Sequence, residues 1–137
     1  MGRERKEKGT RVERELINLL WDNGFAAVRV AGSGSASFPC PDVVASNGKV
    51  VLAFEVKTRS KLPMYLTYQE VKELVMFSNL FGAKPYIALK IPRREWYFIE
   101  IDVLVKTSKG FRVDEEVVSR SCDVNEVLGK SRQLRLF

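Results

Sequence analysis

Apolar positions along the chain fall into two stretches at helical spacing and five short runs suited to strands. Residues 1–9 are charged and poor in apolar side chains, which predicts a mobile basic arm ending at Gly9. Thr10 can cap a helix, with Glu13 three residues later completing a capping box. Val12, Leu16, Leu19 and Leu20 then recur on one helical face until Gly24 stops the run. Residues 25–31 read as a strand, followed by a glycine- and serine-rich loop over 32–39. Residues 42–46 and 50–58 read as two more strands joined at Asn47-Gly48, a tight-hairpin signal. A loop containing Pro63 leads to a second helix over about 67–81, ended by Gly82, and then to strands at 85–91 and 96–101. Beyond Asp102 the pattern weakens, leaving a short helix near 124–128 and a basic tail over 130–137. There are no repeats and no interdomain linker. The order helix, three strands, helix, two strands implies one α/β domain over 1–137, with a central mixed five-stranded sheet flanked by helices.

Composition narrows what such a domain does. With 137 residues, 45% hydrophobic and 29% charged, the chain has the balance of a globular domain. No apolar run approaches the roughly 20 residues of a membrane helix, and the polar N-terminus predicts no signal peptide. Two cysteines, Cys40 and Cys122, are too few for a disulfide scaffold and fit a reducing cytoplasm. The absence of histidine excludes Ser-His-Asp and Cys-His machinery and any zinc site that needs imidazole. A net charge of +6 points to a phosphate-bearing partner. The cations cluster at 3–14, at Lys57, Arg59 and Lys61, at Lys90, Arg93 and Arg94, and at 130–135. No pattern of membrane anchoring or lipidation competes, so nucleic acid leads and a cytoplasmic, nucleoid-associated location is expected.

The chemistry is concentrated in Pro41-Asp42, twelve residues, then Glu55-Val56-Lys57. Strand alternation puts Glu55 and Lys57 on one face with Val51 and Ala53, and Val50, Leu52, Phe54 and Val56 on the other. A two-residue turn at Asn47-Gly48 would set Asp42 opposite Ala53, diagonal to Glu55 at roughly 7 Å or less. Two carboxylates and an ammonium on a buried sheet face are costly unless a cation occupies the gap. Glu13, in line with Ile17 and Leu20, borders the helical stripe facing the sheet and is placed to join them. Oxygen donors without imidazole or thiolate suit Mg²⁺, with Mn²⁺ as a substitute. Such an ion polarises a phosphate and activates water while Lys57 orients that water or stabilises developing charge, which is phosphodiester hydrolysis. The bland alternative is a solvated Glu-x-Lys pair on an ordinary hairpin.

Pro41-Asp42 with Glu55-Val56-Lys57 resembles the core motif of the restriction-endonuclease-like nuclease superfamily. Within it, residues 9–16 (GTRVEREL), 24–29 (GFAAVR) and 31–35 (AGSGS) resemble the archaeal Holliday junction resolvases, and the similarity continues through Tyr65, Phe77 and Gly82. The resemblance implies a homodimeric, Mg²⁺-dependent endonuclease that cuts four-way DNA junctions symmetrically in recombination and repair. It implies that Glu13, Asp42 and Glu55 bind metal, that Lys57 is catalytic, that Ser33 is a loop serine implicated in activity, and that Arg14 and Arg29 are basic residues near the site.

Other segments carry further expectations. The loop around Ser33 could lie over the scissile phosphate, or be a plain connection. Arg5, Lys6 and Lys8 of the arm, with Arg59 and Lys61, are expected on the DNA backbone, where any role appears as salt-dependent affinity. The second helix is apolar on two sides, with Val71 and Val75 opposed to Met76 and Leu80 and with Phe77 and Phe81 between. One side suits the sheet and the other a second protomer, unless C-terminal segments cover it. Leu134 and Phe137 are similar to the anchor pair of sliding-clamp-binding peptides, although a tail packed on its own domain fits equally. Two other readings remain: a Mg²⁺-dependent endonuclease for duplex, flap or damaged DNA, and a non-catalytic DNA-binding module.

Overall fold

The computed structural model describes residues 2–31 and 37–129, with side chains from residue 9 onward. Helix α1 spans Gly2–Asp22. It is followed by β1 (Ala26–Arg29), β2 (Val43–Ser46), β3 (Val51–Thr58), β4 (Met64–Thr67), α2 (Tyr68–Phe81), β5 (Lys84–Lys90) and β6 (Trp96–Glu100). After a 3₁₀ turn at Ile101–Val103 come β7 (Val105–Thr107), β8 (Gly110–Val113), α3 (Glu115–Ser119) and α4 (Val124–Leu128). The main sheet has the order β1-β2-β3-β5-β6, antiparallel except where β5 runs parallel to β3. It is the mixed five-stranded sheet flanked by helices that the element order implied. Among the described residues, no helix is long and apolar enough to cross a membrane, and both cysteines are free thiols.

Each face of the sheet carries its own core. On one, Val12, Leu16 and Leu20 of α1 meet Leu52, Phe54, Tyr86 and Phe98, with α4 contributing Val127 and Leu128. On the other, Ala53, Ile87, Leu89 and Ile99 meet Val71 and Leu74 of α2 and residues of a second sheet. The parallel β3–β5 pair requires a crossover, and α2 within it covers the second face. Its start is well specified. Thr67 accepts from the Glu70 N–H while the Glu70 carboxylate accepts from the Thr67 N–H, and Gly82 in the left-handed conformation ends the helix.

Four expectations are corrected. First, α1 does not begin at Thr10: residues 2–9, expected as an arm, continue the helix. Arg, Glu and Lys are good helix formers, and a single glycine costs only about 1 kcal/mol. Second, the hairpin after β2 has a four-residue loop rather than two. The Asn47 carboxamide oxygen accepts from the Lys49 and Val50 N–H groups at 2.9 and 2.8 Å, organising the wider turn and leaving Val50 exposed rather than on the apolar face. Val43 therefore pairs with Phe54, and the register slides by two residues. An even shift preserves the faces, so Asp42 and Glu55 still share one. Third, the weak region beyond Asp102 holds β7 and β8, two strands of a second sheet of order β4-β8-β7, and helix α3. Fourth, the loop after β3 contains β4, which pairs with β8.

On α2, Val71, Leu74 and Ser78 are buried, whereas Met76, Leu80 and Phe81 are exposed, with Leu80 at 90%. Phe77 and Phe81 stack with ring centres 4.8 Å apart.

Candidate functional site

The site forms where the main sheet's strands run out. Pro41 has no N–H to donate, so regular pairing of β2 starts after it. Asp42 is fixed on three sides: its N–H donates to the Phe54 carbonyl at 2.9 Å, its carbonyl accepts from the Val30 N–H at 2.8 Å, and its carboxylate accepts from the Val56 N–H at 2.8 Å. A side-chain oxygen thus takes the place of a ladder carbonyl beside β3, aiming the Asp42 carboxyl at Glu55. The two carboxyl groups are hydrogen-bond neighbours.

Glu55 and Lys57 project from β3 on the face that α2 covers. The Lys57 Nζ stands 3.7 Å from Glu55 Oε2 and makes a close hydrogen-bonded ion pair with Glu70 Oε1. Burial pushes the Glu55 carboxyl up to about 8, and the charges of Asp42 and Glu70 add to this against the attraction of Lys57. Burial alone would raise Glu70 as well, but hydrogen bonds from Lys57 and from Thr67 outweigh it and leave its pKa below the ordinary value. The same capping box that starts α2 therefore orients the carboxylate that holds Lys57. Glu70 escaped the sequence reading. Thr67-Tyr68-Gln69-Glu70 at the head of a helix was the signal that could have found it.

Glu13 lies elsewhere. The apolar stripe of α1 packs on the Leu52 and Phe54 face, opposite the one carrying Asp42, Glu55 and Lys57. Its carboxylate accepts from Arg29 Nε at 2.6 Å, and Arg29 pairs in register with Val43, one residue beyond Asp42. Glu13 is thus at the edge of the group without joining it, and no cluster of three or more potential metal-ligating side chains exists among the described residues. Arg14 is exposed on α1, next to Glu13. Arg59 and Lys61 are exposed just beyond β3, where the Arg59 guanidinium donates to the Thr58 carbonyl at 2.8 Å. Ser33, the side chains of Arg5, Lys6 and Lys8, and the tail residues Leu134 and Phe137 lie outside the described residues.

Two adjacent half-buried carboxyls, with Glu55 resisting ionisation, suit a cation that would hold Glu55 in its charged form. Their donors are hard oxygens, which fits a divalent ion of the Mg²⁺ class. With two side chains as its donors, such an ion would remain open to water and phosphate oxygens, and the Lys57 ammonium stands 3.7 Å from the Glu55 carboxylate.

The family model described as archaeal Holliday junction resolvase (hjc) matches residues 4–136. The chain is 52% identical over 130 residues to the crossover junction endodeoxyribonuclease Hjc of Archaeoglobus fulgidus, covering 95% of this chain and 96% of that protein. It is 37% identical over 134 residues to the enzyme of the same name from Methanocaldococcus jannaschii, covering 98% and 96%. A solved structure of Archaeoglobus fulgidus Hjc, described as a Holliday junction resolvase from an archaeal hyperthermophile, superposes with a TM-score of 0.84 at 51% identity, covering 89% of this chain and 96% of that one.

Proposed function

From the premise that this chain belongs to the archaeal Holliday junction resolvase family, we propose that it is an endodeoxyribonuclease that binds four-way DNA junctions as a two-fold dimer and hydrolyses phosphodiester bonds near the branch with a divalent ion, Mg²⁺ by preference. The observation that carries this reading is the meeting of Asp42, Glu55 and Lys57 at one point of a sheet face, with Glu55 raised to about 8 beside its neighbour.

Asp42 and Glu55 would hold the ion. Glu13 is the third acid of this reading: Arg29 holds it now, and a DNA phosphate taken by Arg29 would release it toward the pair. A bound divalent ion supplies Lewis-acid polarisation of the scissile phosphate and a water of lowered pKa. The chain's own groups do the rest. Lys57, clamped between Glu55 and Glu70, keeps its ammonium where it can donate to the attacking water or to a phosphate oxygen gaining charge. Arg14, Arg29, Arg59 and Lys61 offer charge to the backbone flanking the cut, with Arg5, Lys6 and Lys8 extending the same role along α1. Ser33 is proposed to act on the scissile phosphate.

The exposed Met76, Leu80 and Phe81 of α2 support pairing with a second protomer, because a substrate of two-fold symmetry with two cuts to make needs two related sites. Leu134 and Phe137 are proposed to engage a sliding clamp. The decisive test compares a fixed four-way junction with its linear arms on a gel, with and without Mg²⁺. Cutting confined to the junction and to Mg²⁺ is expected. Equal cutting of the arms would make the protein a general duplex nuclease, and binding with no cutting would leave a binding module.

A further inference from the structure

The basic cluster of Lys90, Arg93 and Arg94 belongs to the β5–β6 turn, and neither the metal site nor the proposed backbone contacts use it. Two of its cations hold the turn itself. The Lys90 ammonium donates to the Arg94 carbonyl. Arg94 donates from Nε to the Tyr97 hydroxyl at 3.0 Å, and its guanidinium lies over that ring, 5.1 Å from the centre. Its two terminal nitrogens donate to the Glu115 carboxylate at 3.1 and 3.2 Å. Arg93, between them, is exposed and makes no ion pair among the described residues.

The backbone at Arg93 gives no reason for an arginine. Among the described residues it is the one non-glycine at positive φ, 67°. The Arg94 N–H donates to the Ile91 carbonyl at 2.9 Å, which closes the turn Ile91-Pro92-Arg93-Arg94. Proline is locked at negative φ, so a positive φ just after it makes a type II turn, whose third place suits glycine or asparagine. A long side chain there is strained, and strain of this kind marks residues whose side chain has a task.

The turn leaves the sheet at the end where Lys57 lies. Lys57, Leu89 and Tyr97 are in register across β3, β5 and β6, so they share the face that carries Glu55. Two strand spacings put Tyr97 about 10 Å from Lys57. The Arg59 N–H donates to the Lys90 carbonyl at 3.2 Å, which sets Arg59 of the proposed DNA path beside the base of the turn. The Cα of Arg93 is at most about 11 Å beyond that of Lys90. An unpaired guanidinium on a braced turn at the rim of the site suits a phosphate, by charge and by its forked geometry.

We propose that Arg93 takes a backbone phosphate of the bound junction a few nucleotides from the cut, and that the turn braced by Lys90 and Arg94 presents it, fixing the register of the strand. This inference rests on the proposed function for its substrate. The test titrates the full-length protein with a fixed four-way junction and with its linear arms, in Ca²⁺ so that nothing is cut, over a range of salt. Losing one phosphate contact makes the slope of log affinity against log salt shallower by about 0.9, which is roughly 8-fold in affinity at about 0.1 M salt. Arg93→Asn, which tolerates positive φ, is expected to show both on the junction with Tm unchanged or raised. Arg93→Lys, which keeps the charge, should keep the slope. A single methylphosphonate walked along the strand near the cut should, at one position, weaken the unsubstituted protein to the same extent and leave Arg93→Asn unaffected. An unchanged slope in Arg93→Asn, a fall in Tm that accompanies the loss, or the lack of any such position would overturn the proposal. Failure of the functional reading looks different: the unsubstituted protein would then bind junction and arms alike, and the proposal would fall with it.

Discussion

Glu55 sits between a neighbour that opposes its ionisation and an amine that favours it, and the neighbour, with burial, prevails. Its carboxyl is pushed from 4.5 up to about 8. A raised carboxyl contributes to folding while the native state holds the proton. That contribution is complete below about pH 4.5 and is lost as pH rises through 8. Without metal, the protein should therefore weaken between pH 5 and pH 8.5, as read from denaturant midpoints in EDTA, and Glu55→Gln should flatten the slope. Divalent ion and proton compete for the same oxygens, so Mg²⁺ should raise Tm more at pH 8 than at pH 5.5. Equal shifts at both values would mean the ion binds elsewhere. Glu55→Gln should also abolish junction cutting while junction affinity stays within about two-fold, since the carboxylate bonds no phosphate directly.

Lys57 depends on Glu70 for its direction, because a flexible four-carbon stem does not fix its own ammonium. Glu70→Gln keeps the shape and a weaker hydrogen bond; it should lower kcat by about 10-fold with KM little changed, as expected for loss of a positioning contact. Adding Glu70→Gln to Lys57→Ala should cost little more than Lys57→Ala alone, because the two side chains act as a unit. Additive losses would give Glu70 a role of its own.

At the scale of elements, the cap of α2 ties folding to the site. Thr67→Ala removes the oxygen that accepts from the Glu70 N–H and should cost about 1 kcal/mol of stability, measurable in urea. It should also lower cutting beyond what stability explains, because the first turn that aims the Glu70 carboxylate at Lys57 loses the cap on its backbone, although the Thr67 N–H still donates to that carboxylate. Gly110→Ala is harsher, since its Cβ would meet backbone at 2.2 Å, and it should destabilise by about 3 kcal/mol or more. The elements differ in how legible they were. Helix α2 was readable to within a residue because Thr67 and Gly82 mark both ends. The alternation of β3 also read correctly, so Asp42 and Glu55 were assigned to one face even though the register was off by two. What escaped lay in non-local detail. The Asn47 side chain chose the wider turn over the tight one, β7 and β8 are too short to show a period, and Gly9 could not reveal that the helix passes through it. Glu13 was legible as a residue bordering the sheet but not as the partner of Arg29 at the edge of the group, because where α1 sits is decided by the packing of Leu16 and Leu20 against Phe54.

At the scale of the molecule, the question is what covers α2. Val71 and Leu74 satisfy its inner side, leaving Met76, Leu80 and Phe81 in contact with solvent. A leucine that is 90% exposed contributes almost nothing to the monomer, so Leu80→Glu should leave the protomer's Tm within about a degree. In a dimer centred on α2 the same change buries two like charges against apolar partners, at a cost of several kcal/mol. Light scattering should then report a dimer for the unsubstituted protein and a monomer for the variant at the same concentration. The functional consequence separates assembly from chemistry. A monomer still carries Asp42, Glu55 and Lys57 and should nick one strand of a junction, but paired cuts within the lifetime of a single complex should disappear. A cruciform plasmid reads this directly, because paired cuts give linear DNA and single nicks give open circles. Linear product undiminished in Leu80→Glu would locate the dimer contact away from α2, whatever the chemistry at Glu55.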